Sequence, residues 1–109
     1  MIEWASWLMF KFNGKTYLGD RIIFWDGSVI ERKIKDTGHR VYPEEISEIK
    51  RKKPEVLVIA RGWMDKLNPG FDFQGFEKVI AMNTAEAVIM FNKLLSKNKK
   101  VSILLHTTC

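Results

Sequence analysis

Val56-Leu57-Val58-Ile59-Ala60, followed at once by Arg61-Gly62-Trp63-Met64, is the stretch on which the fold turns. Five consecutive apolar residues, three of them β-branched, leave no polar side for water, so the run reads as a strand buried on both faces, as in a parallel sheet. Pro54 stands just before it and closes a helix predicted over Pro43 to Lys53, because the residue ahead of a proline avoids helical geometry. Pro43 suits the first helical position, and Ile46 and Ile49 recur at helical spacing. Beyond the strand, Pro69, Gly70 and Gly75 keep a long loop irregular. Phe76 to Met82 contains another apolar strand. Asn83 or Thr84 then caps a second helix that runs to about Lys97, with Glu86 placed for a capping box and Ala87, Val88, Phe91, Leu94 and Leu95 as its apolar stripe. Asn98 can take the left-handed closing position, and Val101 to His106 is a last strand.

Two hairpins precede this alternation. Met9 to Phe12, Asn13-Gly14 and Lys15 to Leu18 form a two-residue hairpin, since Asn-Gly supplies the positive φ angles of a type I′ turn. In that register Phe10 opposes Tyr17. Arg21 to Trp25, Asp26-Gly27 and Ser28 to Ile34 form a second, with Ile23 expected opposite Ile30 and Phe24 opposite Val29. A loop is expected at Asp36-Thr37-Gly38. Hairpins followed by helix, strand, helix and strand predict an α/β fold: a mixed sheet flanked by helices, with an appended β-hairpin ribbon. The chain of 109 residues suits one domain, 1–109.

Composition narrows the function classes. Hydrophobic residues make up 46% and charged residues 28%, an ordinary globular balance that can support one core. The sole cysteine, Cys109, leaves no partner for an internal disulfide and no four-cysteine metal site. The start, MIEWASWLMFKF, lacks the pattern of a signal peptide, and the apolar runs are too short to span a bilayer. The expectation is a cytoplasmic protein with no membrane partner. The net charge is +5. Lys50-Arg51-Lys52-Lys53 ends a segment that opens with Glu44-Glu45, and Lys97, Lys99 and Lys100 follow the second helix. Acid at a helix start and base at its end complement the helix dipole. No aromatic residues are interleaved with these lysines, so nucleic acid is not the expected partner.

Thr84, Ala87, Phe91-Asn92 and Leu94, then Val101 and Leu105-His106-Thr107-Thr108-Cys109, resemble the adipogenesis-associated Mth-domain family. Asp26-Gly27, Gly38-His39, Pro54 to Ile59 and Gly62 fall in the same order upstream. The resemblance covers nearly the whole chain, and the family includes a mitochondrial complex I assembly factor. It implies a three-layer Mth-domain-like fold around a mixed five-stranded sheet, and it implies no reaction. Two positions depart from the pattern: Ala60 stands where a glycine is usual, and Phe91 where tyrosine is more common.

Few side chains point to chemistry. Arg61 and Gly62 follow the carboxyl end of a central strand, where α/β sheets bind ligands. A forked guanidinium there can hold a carboxylate or phosphate, or it can pair with a nearby carboxylate of the chain. Thr84 opens a helix and exposes N–H groups to an anion, or simply caps it. His39 and His106 have no metal-motif spacing, and Cys109 has no base placed for it. Asp26, Asp65 and Asp72 are scattered. Trp63, Met64 and Phe71 lie in the long loop, either tucked on the core or offered to a partner. The expectation is a non-enzymatic binding or assembly module with a protein partner or a second copy of itself, acting through Trp63, Met64 and Phe71. The alternative is a small-anion-binding domain or enzyme built on Arg61, Gly62 and Thr84. No catalytic residue, cofactor or metal is assigned.

Overall fold

The computed structural model describes residues 1–32, 34, 39–70 and 73–109. Along them run β1 (Ile2–Ser6), β2 (Met9–Phe12), β3 (Lys15–Leu18), β4 (Arg21–Phe24), β5 (Val29–Glu31), α1 (Pro43–Lys52), β6 (Val56–Ala60), β7 (Val79–Met82), α2 (Thr84–Ser96) and β8 (Val101–Leu105). The expected α/β architecture is present. A mixed five-stranded sheet has the order β5-β4-β8-β6-β7, and β1-β2-β3 form a second, three-stranded sheet. β6 runs parallel to both β7 and β8, whereas β4 is antiparallel to β8 and β5.

The uninterrupted apolar run of β6 has its cause in this position. All five residues are buried. Val56, Val58 and Ala60 pack on one face with Ile23, Ile103 and the Ala87 and Phe91 of α2. Leu57 and Ile59 pack on the other with Ile22, Leu104 and the Ile46 and Ile49 of α1. One helix therefore covers each face, giving three layers. Each such side chain withdrawn from water stabilises the fold by about 1.5–3 kcal/mol. The small sheet lies on the α2 side, where Phe12 meets Phe91 with ring centroids 6.4 Å apart.

The first hairpin has the expected register. Phe10 opposes Tyr17, their rings stack at 5.1 Å, and Asn13 and Gly14 both have positive φ. It belongs to a sheet rather than a bare ribbon, because β1 pairs with β2. Asn92 of α2 holds β1 in place: its side chain accepts from the Ile2 N–H at 2.9 Å and donates to the Ile2 carbonyl at 2.8 Å.

The second hairpin is offset by one residue from expectation. Ile22 opposes Ile30 and Ile23 opposes Val29. The loop has three residues, Trp25-Asp26-Gly27, closed by Phe24 N–H to the Ser28 carbonyl at 2.9 Å. Asp26 accepts from the Ser28 N–H and hydroxyl, so only Gly27 takes the left-handed turn at φ 91°. The loop expected at Asp36-Thr37-Gly38 lies outside the described residues. Among the described residues no helix is long and apolar enough to cross a membrane.

Candidate functional site

The carboxyl ends of β6 and β8 meet at a rim where the chain closes on itself. After Ala60, Gly62 turns with φ 100° and lies against residues 106–109. The Trp63 N–H donates to the Thr108 carbonyl at 2.9 Å, and the Met64 and Lys66 N–H groups donate to the Cys109 oxygen at 2.9 and 3.0 Å. The Thr107 carbonyl accepts twice: from Trp63 Nε1 at 3.0 Å and from the Leu8 N–H at 3.0 Å.

The three residues expected to form an anion pocket are all at this rim. Gly62 and Thr84 are in direct contact. The Gly62 N–H donates to Thr84 Oγ1 at 2.9 Å, and that hydroxyl donates to the His106 carbonyl at 2.7 Å. Thr84 is fully buried, and its own N–H donates to the Gly62 carbonyl. Their polar groups thus bind the chain's own segments together. Arg61 stands apart, with its side chain 35% exposed and its Nε 3.3 Å from Asp65 Oδ1. Of the expected partner surface, Met64 is 59% exposed and Trp63 is half-buried. Phe71, and with it Asp72, lies outside the described residues.

Beneath the rim sits a buried ionic network that inspection of the sequence missed. Arg32 is completely enclosed. Its Nη1 donates to Asp20 Oδ2 at 2.8 Å, its Nε and Nη2 fork onto Glu45 at 2.7 and 3.0 Å, and Nη2 also reaches the Arg40 carbonyl at 2.7 Å. Asp20 takes three further bonds: His106 Nδ1, the Thr107 N–H and the Thr107 hydroxyl, each at 2.7 Å. Glu45 additionally accepts from the Tyr42 N–H at 3.0 Å, which fixes the start of α1. Burial alone would raise the Asp20 carboxyl pKa, but the bonds from His106 and Thr107 outweigh it and hold the group below the usual carboxylate range. Burial likewise opposes the Arg32 charge, and Glu45 and Asp20 more than restore it, leaving its pKa raised.

His106 is buried, with its ring edge-on to His39 at 5.5 Å and its Nε2 3.4 Å from Thr108 Oγ1. Among the described residues no three His, Cys, Asp or Glu side chains are grouped to hold a metal ion. A separate open cavity of about 550 Å³ lies between Arg40–Glu44 and Asn68–Gly70, with the Arg40 guanidinium 5.0 Å above the Tyr42 ring. The chemistry on view is therefore structural polarity below and exposed apolar surface above. Met64, Leu8 and the adjoining Trp7 are 59%, 48% and 50% exposed.

Known proteins match the chain along its length. A family model described as a protein of unknown function, DUF498/DUF598, matches residues 2–106. The solved structure of MT938 is 27% identical, with a TM-score of 0.86, and the match covers 100% of this chain and 98% of that one. The conserved hypothetical protein PH1505 from Pyrococcus horikoshii OT3 is 25% identical, with a TM-score of 0.84 over 100% and 99% of the two chains. An outer membrane protein from Bartonella henselae shares the fold at 22% identity and a TM-score of 0.75, covering 99% and 94%.

Proposed function

The chain belongs to the DUF498/DUF598 family, the Mth938-like domain family, and from that premise we propose that it is a non-enzymatic binding or assembly module, one Mth-like unit spanning 1–109, that works through protein contacts at the Gly62 rim. The observation that carries this reading is the double acceptor at Thr107. Its carbonyl accepts from the Leu8 N–H and from the Trp63 ring N–H, which brings the Trp7-Leu8 turn and the Trp63-Met64 loop to one point of the backbone. Exposed apolar groups that cluster are the surface feature of interaction sites, and an aromatic ring pinned by a hydrogen bond offers contact area at small entropic cost. Arg61, Asp65 and Lys66 supply a polar border beside Met64. Phe71 belongs to the same proposed surface on sequence grounds. The resemblance to the adipogenesis-associated Mth-domain proteins, a complex I assembly factor among them, supports assembly in preference to catalysis; the cytoplasm is the proposed place of action.

A small-anion site is the second reading, and one observation favours it. Arg61 Nε is buried without a well-aligned hydrogen bond, its Asp65 contact being an ion pair only. Gly62 and Thr84 would then position Arg61 rather than touch the anion.

The test compares the wild type with Trp7→Ser/Met64→Ser. Light scattering reads self-association, and affinity capture from cytosol reads a second protein. The expected result is a defined partner, or a second copy, held by the wild type and bound at least about tenfold more weakly by the variant, since two anchors of an interface are worth more than 1.4 kcal/mol together. Equal capture by both proteins, with an unchanged circular dichroism spectrum, removes this surface from consideration.

A further inference from the structure

β6 and β8 are parallel, so both begin at one end of the molecule, opposite the Gly62 rim. Three cationic segments surround that beginning. Lys50 and Arg51 lie in the last turn of α1, and Lys53 follows it in the left-handed conformation at φ 54°. Lys97, Lys99 and Lys100 follow α2, and the Lys100 carbonyl accepts from the Glu55 and Val56 N–H groups at 2.7 and 3.3 Å. Lys78 directly precedes β7, its carbonyl accepting from the Leu57 N–H at 2.9 Å. All seven cations are exposed. Lys52, between them, is paired with Asp26.

The carboxylates on or beside these segments are Glu48, which lines a cavity with Arg51 and Lys52, Glu55, which already accepts from the Lys100 N–H, and Glu77. Seven of the chain's eighteen cations thus stand here against three of its thirteen acids, and the remainder holds eleven cations and ten acids. The residues outside the described set contribute two of each. Most of the net charge of +5 is gathered at this pole. Helix dipoles account for Lys50 and Arg51, but Lys78 precedes a strand and Lys99 and Lys100 lie past a helix end. Like charges held together repel one another, and a polyanion relieves that repulsion.

We infer that this pole is a sequence-independent docking surface for the phosphate backbone of a double-stranded nucleic acid. Three features select that partner. Six of the seven cations are lysines, which act as point charges on phosphates and do not read base edges as arginine forks do. Lysine is depleted in the interfaces that proteins form with one another. Among the described residues the large exposed apolar ones, including Trp4, Trp7, Leu8, Leu18, Met64 and Ile89, lie off these segments, so none of them serves here as an interfacial anchor in a bilayer. Among the described residues, Phe76, with Lys50 Nζ 5.8 Å from its ring centre, is the one aromatic lining the adjoining cavity of about 360 Å³, and Phe73 packs edge-on against it at 6.0 Å. Two rings packed edge to face on each other offer little of the stacking platform that single strands require, which favours a duplex.

The experiment uses the full chain and a labelled DNA duplex of mixed sequence, about 20 base pairs long, read by anisotropy. With about five phosphates neutralised, affinity should fall roughly a thousandfold between about 50 and 200 mM salt, at about 0.9 logarithmic units per phosphate. Lys97→Gln/Lys99→Gln/Lys100→Gln should lower that slope by between 2 and 3 units, roughly, while Lys11→Gln/Lys15→Gln on the small sheet leaves it unchanged. Parallel titrations use phosphatidylserine-containing vesicles and a polyglutamate peptide. No binding to the duplex at low salt, a slope that the pole variant does not move, or tighter binding to vesicles or polyglutamate than to the duplex would each overturn the inference.

Discussion

Gly62 lies so close to Cys109 that a Cβ built on it would come within 2.2 Å of the Cys109 carbonyl carbon and 2.8 Å of His106 Cδ2. Glycine is required here twice over. Its φ of 100° is one that side chains rarely adopt, and the space is already filled by the Cys109 backbone and the His106 ring. Gly62→Ala should therefore destabilise the protein by about 3 kcal/mol or more, or expel the 106–109 segment from the rim. Urea unfolding measures the first outcome. Loss of exchange protection at the Met64 and Lys66 amides, which donate to Cys109, measures the second. Unchanged stability with both amides still protected would refute the account of the rim.

Removing Arg32 should be among the costliest single changes. The guanidinium is wholly buried and bridges Asp20 and Glu45. Arg32→Met keeps volume but takes away the cation that two buried carboxylates share, an effect of about 3–5 kcal/mol. Urea denaturation of the variant checks it, and a loss below about 1 kcal/mol would mean the network is far better hydrated than its burial implies.

Why this network escaped reading, when the central strand did not, is a matter of range. Val56 to Ala60 declares itself within five residues because both sheet faces are dry. Asn13-Gly14 likewise carries its turn geometry in two residues. Asp20 and His106, by contrast, are 86 positions apart, and Arg32 and Glu45 are separated by 13. No local pattern marks their convergence: His106 reads as a partly buried histidine with an unnamed hydrogen-bond partner, Glu45 as helix-start chemistry, and nothing beside Asp20 or Arg32 points to the other members. β1 was hidden for another reason: its pairing shifts between Ile2 and Trp4, which breaks the alternation that identifies a strand. The carboxyl edge of β6 was legible as a place of interest. That its polar groups are spent on residues 106–109 was not, because those residues reach it only through the parallel pairing of β6 with β8.

The same network makes stability depend on acid. Asp20 has a folded pKa below its unfolded value of about 3.9. The unfolded chain thus binds a proton more readily, so the contribution is fully present above pH 3.9, roughly, and is lost as pH falls through the folded value. Midpoints of urea unfolding should hold steady from neutrality to about pH 5 on this group's account and decline below about pH 4. Asp20→Asn should be less stable at neutral pH and show a shallower decline in acid. A decline of the same steepness in Asp20→Asn would assign the acid sensitivity to other carboxylates.

Two buried hydroxyls should respond to deletion with opposite signs. Thr84 Oγ1 stands between the Gly62 N–H and the His106 carbonyl, joining the loop after β6 to the end of β8. Thr84→Val keeps the shape but strands both groups away from water, which costs about 1–3 kcal/mol, whereas Thr84→Ser retains the bonds. Ser102 is equally buried, but its Oγ has no partner among the described residues, set in β8 between Phe24 of β4 and Leu57 of β6. Its hydroxyl gave up hydration and received nothing in exchange, so Ser102→Ala should be neutral or stabilising by up to about 1 kcal/mol despite removing an atom from the core. Thermal and urea midpoints of the three variants decide the matter. Destabilisation of Ser102→Ala comparable to that of Thr84→Val would show that burial of the hydroxyl, not its hydrogen bonding, sets the cost in this core.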